Sequence, residues 1–249
     1  MCGRFALTVS SEEVEAFFAL MELEDFPPRY NIAPTQPILM VMAGEGRAEP
    51  GSNLPDRRPL LVRWGLIPAW VKDPRSFPLL FNARSDTALD KNTYKAAMRH
   101  RRALVPASGF YEWRRAGKAK AEAYWVRPKG GGLLAFAGLM ETWHEPGGSE
   151  IDTGAILTTG ANADIVHIHE RMPVVVRPED FARWLDCRSN EPRDVADLLR
   201  PVDPDFFEAI PVSDKVNKVA NTGPEIQAPL DAGESRPEEE AVNVQLKLI

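Results

Sequence analysis

The chain has 249 residues, 44% of them hydrophobic, and a formal net charge of −6. That length suits one large domain or two small ones, with ample material for a core, and no apolar run approaches the roughly 20 residues a membrane helix needs. Cys2 and Cys187 are the two cysteines, which excludes a disulfide framework and fits a reducing, cytoplasmic setting; no signal peptide is expected, because the start lacks a basic segment followed by an apolar stretch.

In chain order, a short helix opens with Ser11–Phe18, capped by Ser10 or Ser11 with acids in its first turn, and Pro27-Pro28 stops it. Arg29–Thr35 reads as a loop and Pro37–Met42 as a strand. Residues 44–58, rich in Gly, Pro and Asp, mark a hairpin loop. A strand over Leu60–Trp64 follows, and Gly65–Trp70 turns away from it. Asn82–Thr87 comes after a short apolar run, and a helix covers Lys91–Arg99. Ala103–Pro106 and Gly109–Trp113 read as strands around a bend. Tyr124–Val126, Leu133–Leu139 and Gly154–Thr159 continue the sheet. Helices over Pro178–Leu185, with Pro at its start, and over Pro192–Leu199 precede a late strand at Phe207–Val212. Short strands with intervening helices predict a mixed, mainly antiparallel α+β domain. No interior linker or repeat is visible, so residues 2–230 are expected to form one domain. Residues 231–249, with five acids against two bases, read as an acidic, disordered tail.

The charge is unevenly spread. Residues 84–118 hold nine Lys and Arg against three acids, a net of +6, which reads equally as a solvated helix face or as a phosphate-binding surface. Cys2 is chemically distinctive. Taken alone, a cysteine at the second position reads as a frayed end. Once Met1 is removed, however, it carries an amine and a thiol on adjacent carbons. That pair condenses with an aldehyde to an imine and then closes to a five-membered thiazolidine. Asn82, Glu112 and His169 are the candidate partners. A carboxyl wedged among Phe110, Tyr111 and Trp113 can have a raised pKa and act as a general acid, and histidine exchanges protons near neutrality. Each also has a plainer reading: a turn asparagine, the solvent-facing position of an alternating strand, a hydrogen-bonded structural histidine. His167 and His169 would share one strand face, but a third ligand is missing. Neither a metal nor a cofactor is expected.

Six segments occur in the order seen in one family: Met1-Cys2-Gly3-Arg4-Phe5, Arg29–Thr35, Arg63–Pro68, Asn82–Ser85, Leu104–Trp113 and His169–Pro173. Together the chain resembles the SRAP (SOS response-associated peptidase) family, whose members shield abasic sites in single-stranded DNA, over nearly everything from Cys2 to about Pro229. The resemblance implies Cys2 as nucleophile, Asn82 positioning the terminus or the opened sugar, Glu112 as acid/base, and His169 promoting ring opening and crosslink reversal. It implies phosphate contacts from Arg4, Arg84 and Arg171, and stacking or packing of Trp70 near the lesion. Asp86 stands where a longer acid is commoner, and Glu170 where Asp is more frequent. The expected fold class is thus α+β, one domain with a mainly antiparallel, barrel-like sheet core flanked by short helices. The expected protein is a monomer that binds single-stranded DNA containing abasic sites, without a membrane partner. Two other readings stay open: a cysteine peptidase or amidohydrolase built on Cys2, His169 and Asn82, and a non-catalytic reader of single-stranded DNA.

Overall fold

The computed structural model describes residues 2–44, 55–115, 117, 120–145 and 147–230. The acidic tail from Asp231 and most of the expected hairpin loop at 44–58 lie outside the described residues. The strands are β1 (Phe5–Leu7), β2 (Arg29–Ile32), β3 (Pro37–Ala43), β4 (Arg57–Trp64), β5 (Asn82–Arg84), β6 (Arg102–Ala107), β7 (Gly109–Arg114), β8 (Glu122–Pro128), β9 (Leu134–His144), β10 (Glu150–Gly160), β11 (Arg171–Pro173) and β12 (Phe207–Pro211). The α-helices are α1 (Ser11–Phe18), α2 (Ser85–Ala88), α3 (Asn92–His100) and α4 (Phe181–Leu185).

The strands form two sheets. One has the order β12-β8-β7-β1-β2. The other closes on itself: β4, β3, β6, β9 and β10 pair in turn, and β10 completes the ring by pairing antiparallel with β9 and parallel with β4 at Thr153 and Gly154. Beyond that closure the far end of β10 carries β5, in parallel, and β11, antiparallel. The α+β, barrel-like expectation holds. Closure gives β6 and β9 a buried environment on both faces, so they read as continuous apolar runs rather than alternating ones.

Ser108 turns the chain from the ring into the other sheet. Its N–H donates to the Ala6 carbonyl at 2.7 Å, and its Oγ accepts from the Thr8 N–H at 2.9 Å. Gly109 follows because a Cβ there would stand 2.4 Å from the Val126 carbonyl oxygen. The bend therefore lays β7 against β1, with Phe5 opposite Phe110. Phe5, Trp64, Phe110 and Phe136 meet edge-on between the sheets, with ring centroids 5.1–6.2 Å apart, a favourable quadrupole geometry.

Several expectations are corrected. Helix α1 ends at Phe18, well before the proline pair, because Ala19 turns left-handed (φ 49°) and caps it; its start is as expected, with Ser10 and Glu13 in a reciprocal capping box. Arg29–Ile32 is a strand rather than a loop, since β1 offers it a hydrogen-bonding edge. Ser85–Ala88 forms an unexpected short helix, and Pro192–Leu199 winds as a 3-10 helix. His167 and His169 do not share a strand face. Residues 163–168 are turns, with Val166 and His169 donating to the Asn162 and Ile165 carbonyls. Among the described residues, no helix is long and apolar enough to cross a membrane.

Arg102 is a charged group in the core, 1% exposed. Its guanidinium donates to the carbonyls of Met98, Trp184, Asp186 and Asn190 at 2.6–3.0 Å, tying α3 and α4 to the ring. An Arg102→Met substitution strands these acceptors and is expected to cost about 3–5 kcal/mol, read as a lowered urea midpoint. A loss below about 1 kcal/mol would show that the network contributes little.

Candidate active site

Cys2 precedes β1, and β1 sits between β7 and β2. The Tyr111 N–H donates to the Arg4 carbonyl at 2.9 Å, so the start of the chain runs beside the strand that carries Glu112. Cys2 is 0% exposed and belongs to the main core, which removes the frayed-end reading. Its thiol donates to the Arg4 carbonyl at 3.7 Å, and its own carbonyl accepts from Asn82 Nδ2 at 2.7 Å. Burial pushes the thiol pKa far above its ordinary value, and the nearby Glu112 charge adds to the shift. The sulfur is therefore a protonated thiol at neutral pH.

Asn82 opens β5, whose parallel pairing sets it opposite Ile156 of β10. Its Oδ1 is buried and has no hydrogen-bond partner among the described residues. Glu112 lies on β7 opposite Tyr124 of β8 and is 2% exposed. Alternation sends Tyr111 and Trp113 to a smaller cluster and puts Glu112 on the Phe110 side, toward the main core. The solvent-facing reading of Glu112 thus fails. Loss of water raises its carboxyl pKa to about 7.

His169 is half-buried, which pushes its pKa below the ordinary value. The Arg171 N–H donates to His169 Nδ1 at 3.0 Å. Nδ1 also lies 3.2 Å from the Arg171 carbonyl, so the Arg171 backbone holds this edge of the ring. Arg171 in turn donates to the Thr158 carbonyl and, at 3.3 Å, to Thr158 Oγ1. Thr158 is two residues along β10 from Ile156, the partner of Asn82. Cys2, Asn82 and Glu112 are thus drawn together directly, and His169 joins them through Arg171 and β10.

The four remaining expected residues differ in kind. Arg84 is exposed and paired with Asp86 at 2.9 Å across a half-exposed contact. Arg171, 9% exposed, is committed to Thr158, with Asp86 at 3.8 Å. Arg4 holds Asn31 Oδ1 and the Val216 carbonyl, each at 2.8 Å, and so clamps the 3-10 turn Asp214–Asn217 to the start of the chain. Trp70 is 60% exposed, edge-on to Phe77 at 5.5 Å. It lines a groove of about 1230 Å³ along the outer face of α3, away from Cys2. The basic segment is largely consumed internally: Arg99 pairs with Glu191 and Arg101 with Glu141, both at 2.6 Å, and Arg102 is buried. Charge counting could not see this, because the neutralising acids lie far along the chain. The sequence reading also passed over Tyr94, whose hydroxyl donates to the Asn82 carbonyl at 3.1 Å; an aromatic on the inward side of a basic helix was the available signal. Among the described residues, no group of three or more His, Cys, Asp and Glu could hold a metal ion.

The profile of the family described as SOS response associated peptidase (SRAP) matches residues 1–219. The abasic site processing protein YoqW of Bacillus subtilis (strain 168) is 35% identical over 229 residues, covering 91% of this chain and 98% of its own. The abasic site processing protein HMCES of Gallus gallus is 30% identical, covering 94% of this chain and 79% of its own. A crystallised protein from Bacteroides thetaiotaomicron superposes with a TM-score of 0.75 at 25% identity, covering 92% of this chain and all of that one.

Proposed function

Because the chain belongs to the SOS response associated peptidase (SRAP) family, we propose that it processes abasic sites in single-stranded DNA by crosslinking to them through Cys2, shielding the lesion from strand cleavage. The observation that carries this reading is the burial of the Cys2 thiol beside Glu112, with the Cys2 carbonyl held at 2.7 Å by Asn82. The proposed unit is residues 2–230, acting as a monomer, and Met1 is removed first to free the α-amine.

An abasic site is a cyclic hemiacetal in equilibrium with a little open aldehyde. His169 assists the opening. The Cys2 amine, with an ordinary pKa of about 7.7–8.0, attacks C1′ to give a carbinolamine. Glu112, whose carboxyl pKa burial raises to about 7 in the chain that still carries Met1, gives its proton to the departing hydroxyl, which leaves as water. The iminium then takes the Cys2 sulfur, and the thiol proton returns to Glu112. The sum is aminothiol plus aldehyde giving thiazolidine plus water. The order suits this thiol: a protonated sulfur waits until the iminium charge appears beside it. It does not suit a cysteine peptidase, which needs a lowered thiol pKa; here burial raises the thiol.

The test is to incubate Met1-processed protein with a single-stranded oligonucleotide carrying one abasic site and run a denaturing gel. A shifted, heat-stable band supports the reading, and its absence with folded, processed protein overturns it. Of the three expected phosphate-binding arginines, Arg4, Arg84 and Arg171, Arg84 is the exposed one. An Arg84→Ala substitution is expected to weaken oligonucleotide binding and to lower the slope of log affinity against log salt by about 0.7, one single-strand phosphate contact. Fluorescence anisotropy at several salt concentrations checks this, and an unchanged slope would remove Arg84 from the interface.

A further inference from the structure

Tyr94 is the third residue of α3 and is 6% exposed. It points inward from a helix whose other face carries Lys95 and Arg99. Its hydroxyl donates to the backbone carbonyl of Asn82 at 3.1 Å. The pairing of β5 explains why this carbonyl is available. The neighbouring Phe81 carbonyl accepts from Ile156 N–H at 3.0 Å, so it faces β10. In a strand successive carbonyls point to opposite edges, and that of Asn82 faces away from β10, toward α3. The side chain of the same residue donates to the Cys2 carbonyl at 2.7 Å.

We propose that Tyr94 is a positioning residue: from α3 it fixes the backbone of Asn82, and through the Asn82 amide it fixes Cys2 for attack on the abasic-site aldehyde. This rests on the function proposed above. Three further observations support it. Burial raises the Tyr94 phenol pKa, so the group stays a donor through any working range of pH. β5 is three residues long, so one lost bond on its free edge is a large share of what holds it. The first turn of α3 has no side-chain cap at Lys91, while its C-terminal end is tied by the bond from Arg102 to the Met98 carbonyl. The helix is thus anchored by the core at one end and by Tyr94 at the end that meets Asn82. Tyr94 acts through Asn82, because its hydroxyl is committed to the Asn82 carbonyl.

The experiment is a double-mutant cycle with two readouts. Single-turnover crosslinking rates are measured for wild type, Tyr94→Phe, Asn82→Ala and the double variant across a range of abasic oligonucleotide concentrations. Misplacement of a reacting group by about 1 Å costs roughly 10²-fold, and partial loosening of Asn82 is expected to lower the saturating rate of Tyr94→Phe roughly tenfold. The half-saturating concentration stays unchanged. In the Asn82→Ala background the same change is expected to have little further effect, because residues acting in series are not additive. An equal loss in both backgrounds overturns the proposal, as does an unchanged saturating rate. The second readout needs no crosslink: the Asn82 side-chain amide, followed by NMR in asparagine-labelled protein, is expected to exchange faster with water in Tyr94→Phe. Unaltered exchange overturns the relay. A wild type that forms no crosslink overturns the proposed function instead, and the amide measurement still decides for Tyr94.

Discussion

Cys2→Ala protein, with Met1 removed, is expected to give no heat-stable crosslink to a single-stranded abasic oligonucleotide, while still nicking a fraction of it. Alanine keeps the α-amine, so the imine at C1′ still forms. Without a sulfur to capture it, the imine acidifies C2′ and the strand breaks by β-elimination. The thiol therefore separates a protective adduct from a damaging one. Serine in its place closes to a less stable oxazolidine and gives a band that fades on heating. The fold should survive, since Cys2 is a small member of a large core and losing one sulfur costs about 1–2 kcal/mol. Denaturing gels and a urea titration on the same preparation check both halves. A full-strength crosslink from Cys2→Ala would remove the thiazolidine from the reaction.

Glu112→Gln is expected to make the protein more stable and less active. The buried carboxyl is raised from its ordinary value of 4.5 to about 7, so the folded state holds its proton more tightly than the unfolded chain does. Its contribution to stability is then fully present below about pH 4.5 and is lost as pH rises to about 7. At about 1.4 kcal/mol for each tenfold change in proton affinity, a carboxyl raised from 4.5 to about 7 costs the fold on the order of 3 kcal/mol when it ionises at pH 8. Glutamine never ionises. The variant should gain stability at pH 8, gain little at pH 4, and show a flatter stability profile between them. Its crosslinking should slow roughly 10²-fold or more, the range for losing a general acid. The wild-type rate should peak between about pH 7 and 8, where Glu112 is still partly protonated and the amine partly neutral. Glu112→Gln should leave only the limb that rises with the amine. A variant whose gain over wild type is no larger at pH 8 than at pH 4, or one with a wild-type rate, would show that ionised Glu112 carries no such cost.

The chemistry of the site and the local elements around it were legible for different reasons. An aminothiol is a property of adjacent atoms, so what Cys2 could react with was readable without any fold. The cap of α1 was equally local, since Ser10 and Glu13 are three residues apart. A carboxylate among aromatics suggested a raised pKa, but the alternation of Gly109–Trp113 left it open whether Glu112 faced water. Closure of one sheet and the packing of β7 against β1 settled that, and packing also decided the fate of the basic segment. Arg99, Arg101 and Arg102 look like a phosphate surface on paper, yet Glu191, Glu141 and the carbonyls of α4 claim them from distant parts of the chain. The Arg4 and Arg171 guanidiniums are likewise drawn inward, and Arg84 remains the exposed one. His167 and His169 failed as a strand pair because Asn162 and Ile165 offered their carbonyls first.

By itself the sequence determined which groups could react and the class of fold that would carry them, because reactivity and hydrophobic pattern are written residue by residue. Tertiary structure alone decided which of those groups meet, which lose their water and which charges are neutralised. Distances across the sheets and the exclusion of solvent are properties of contacts between distant segments, as when β10 sets Asn82 beside Cys2, 80 residues away in the chain.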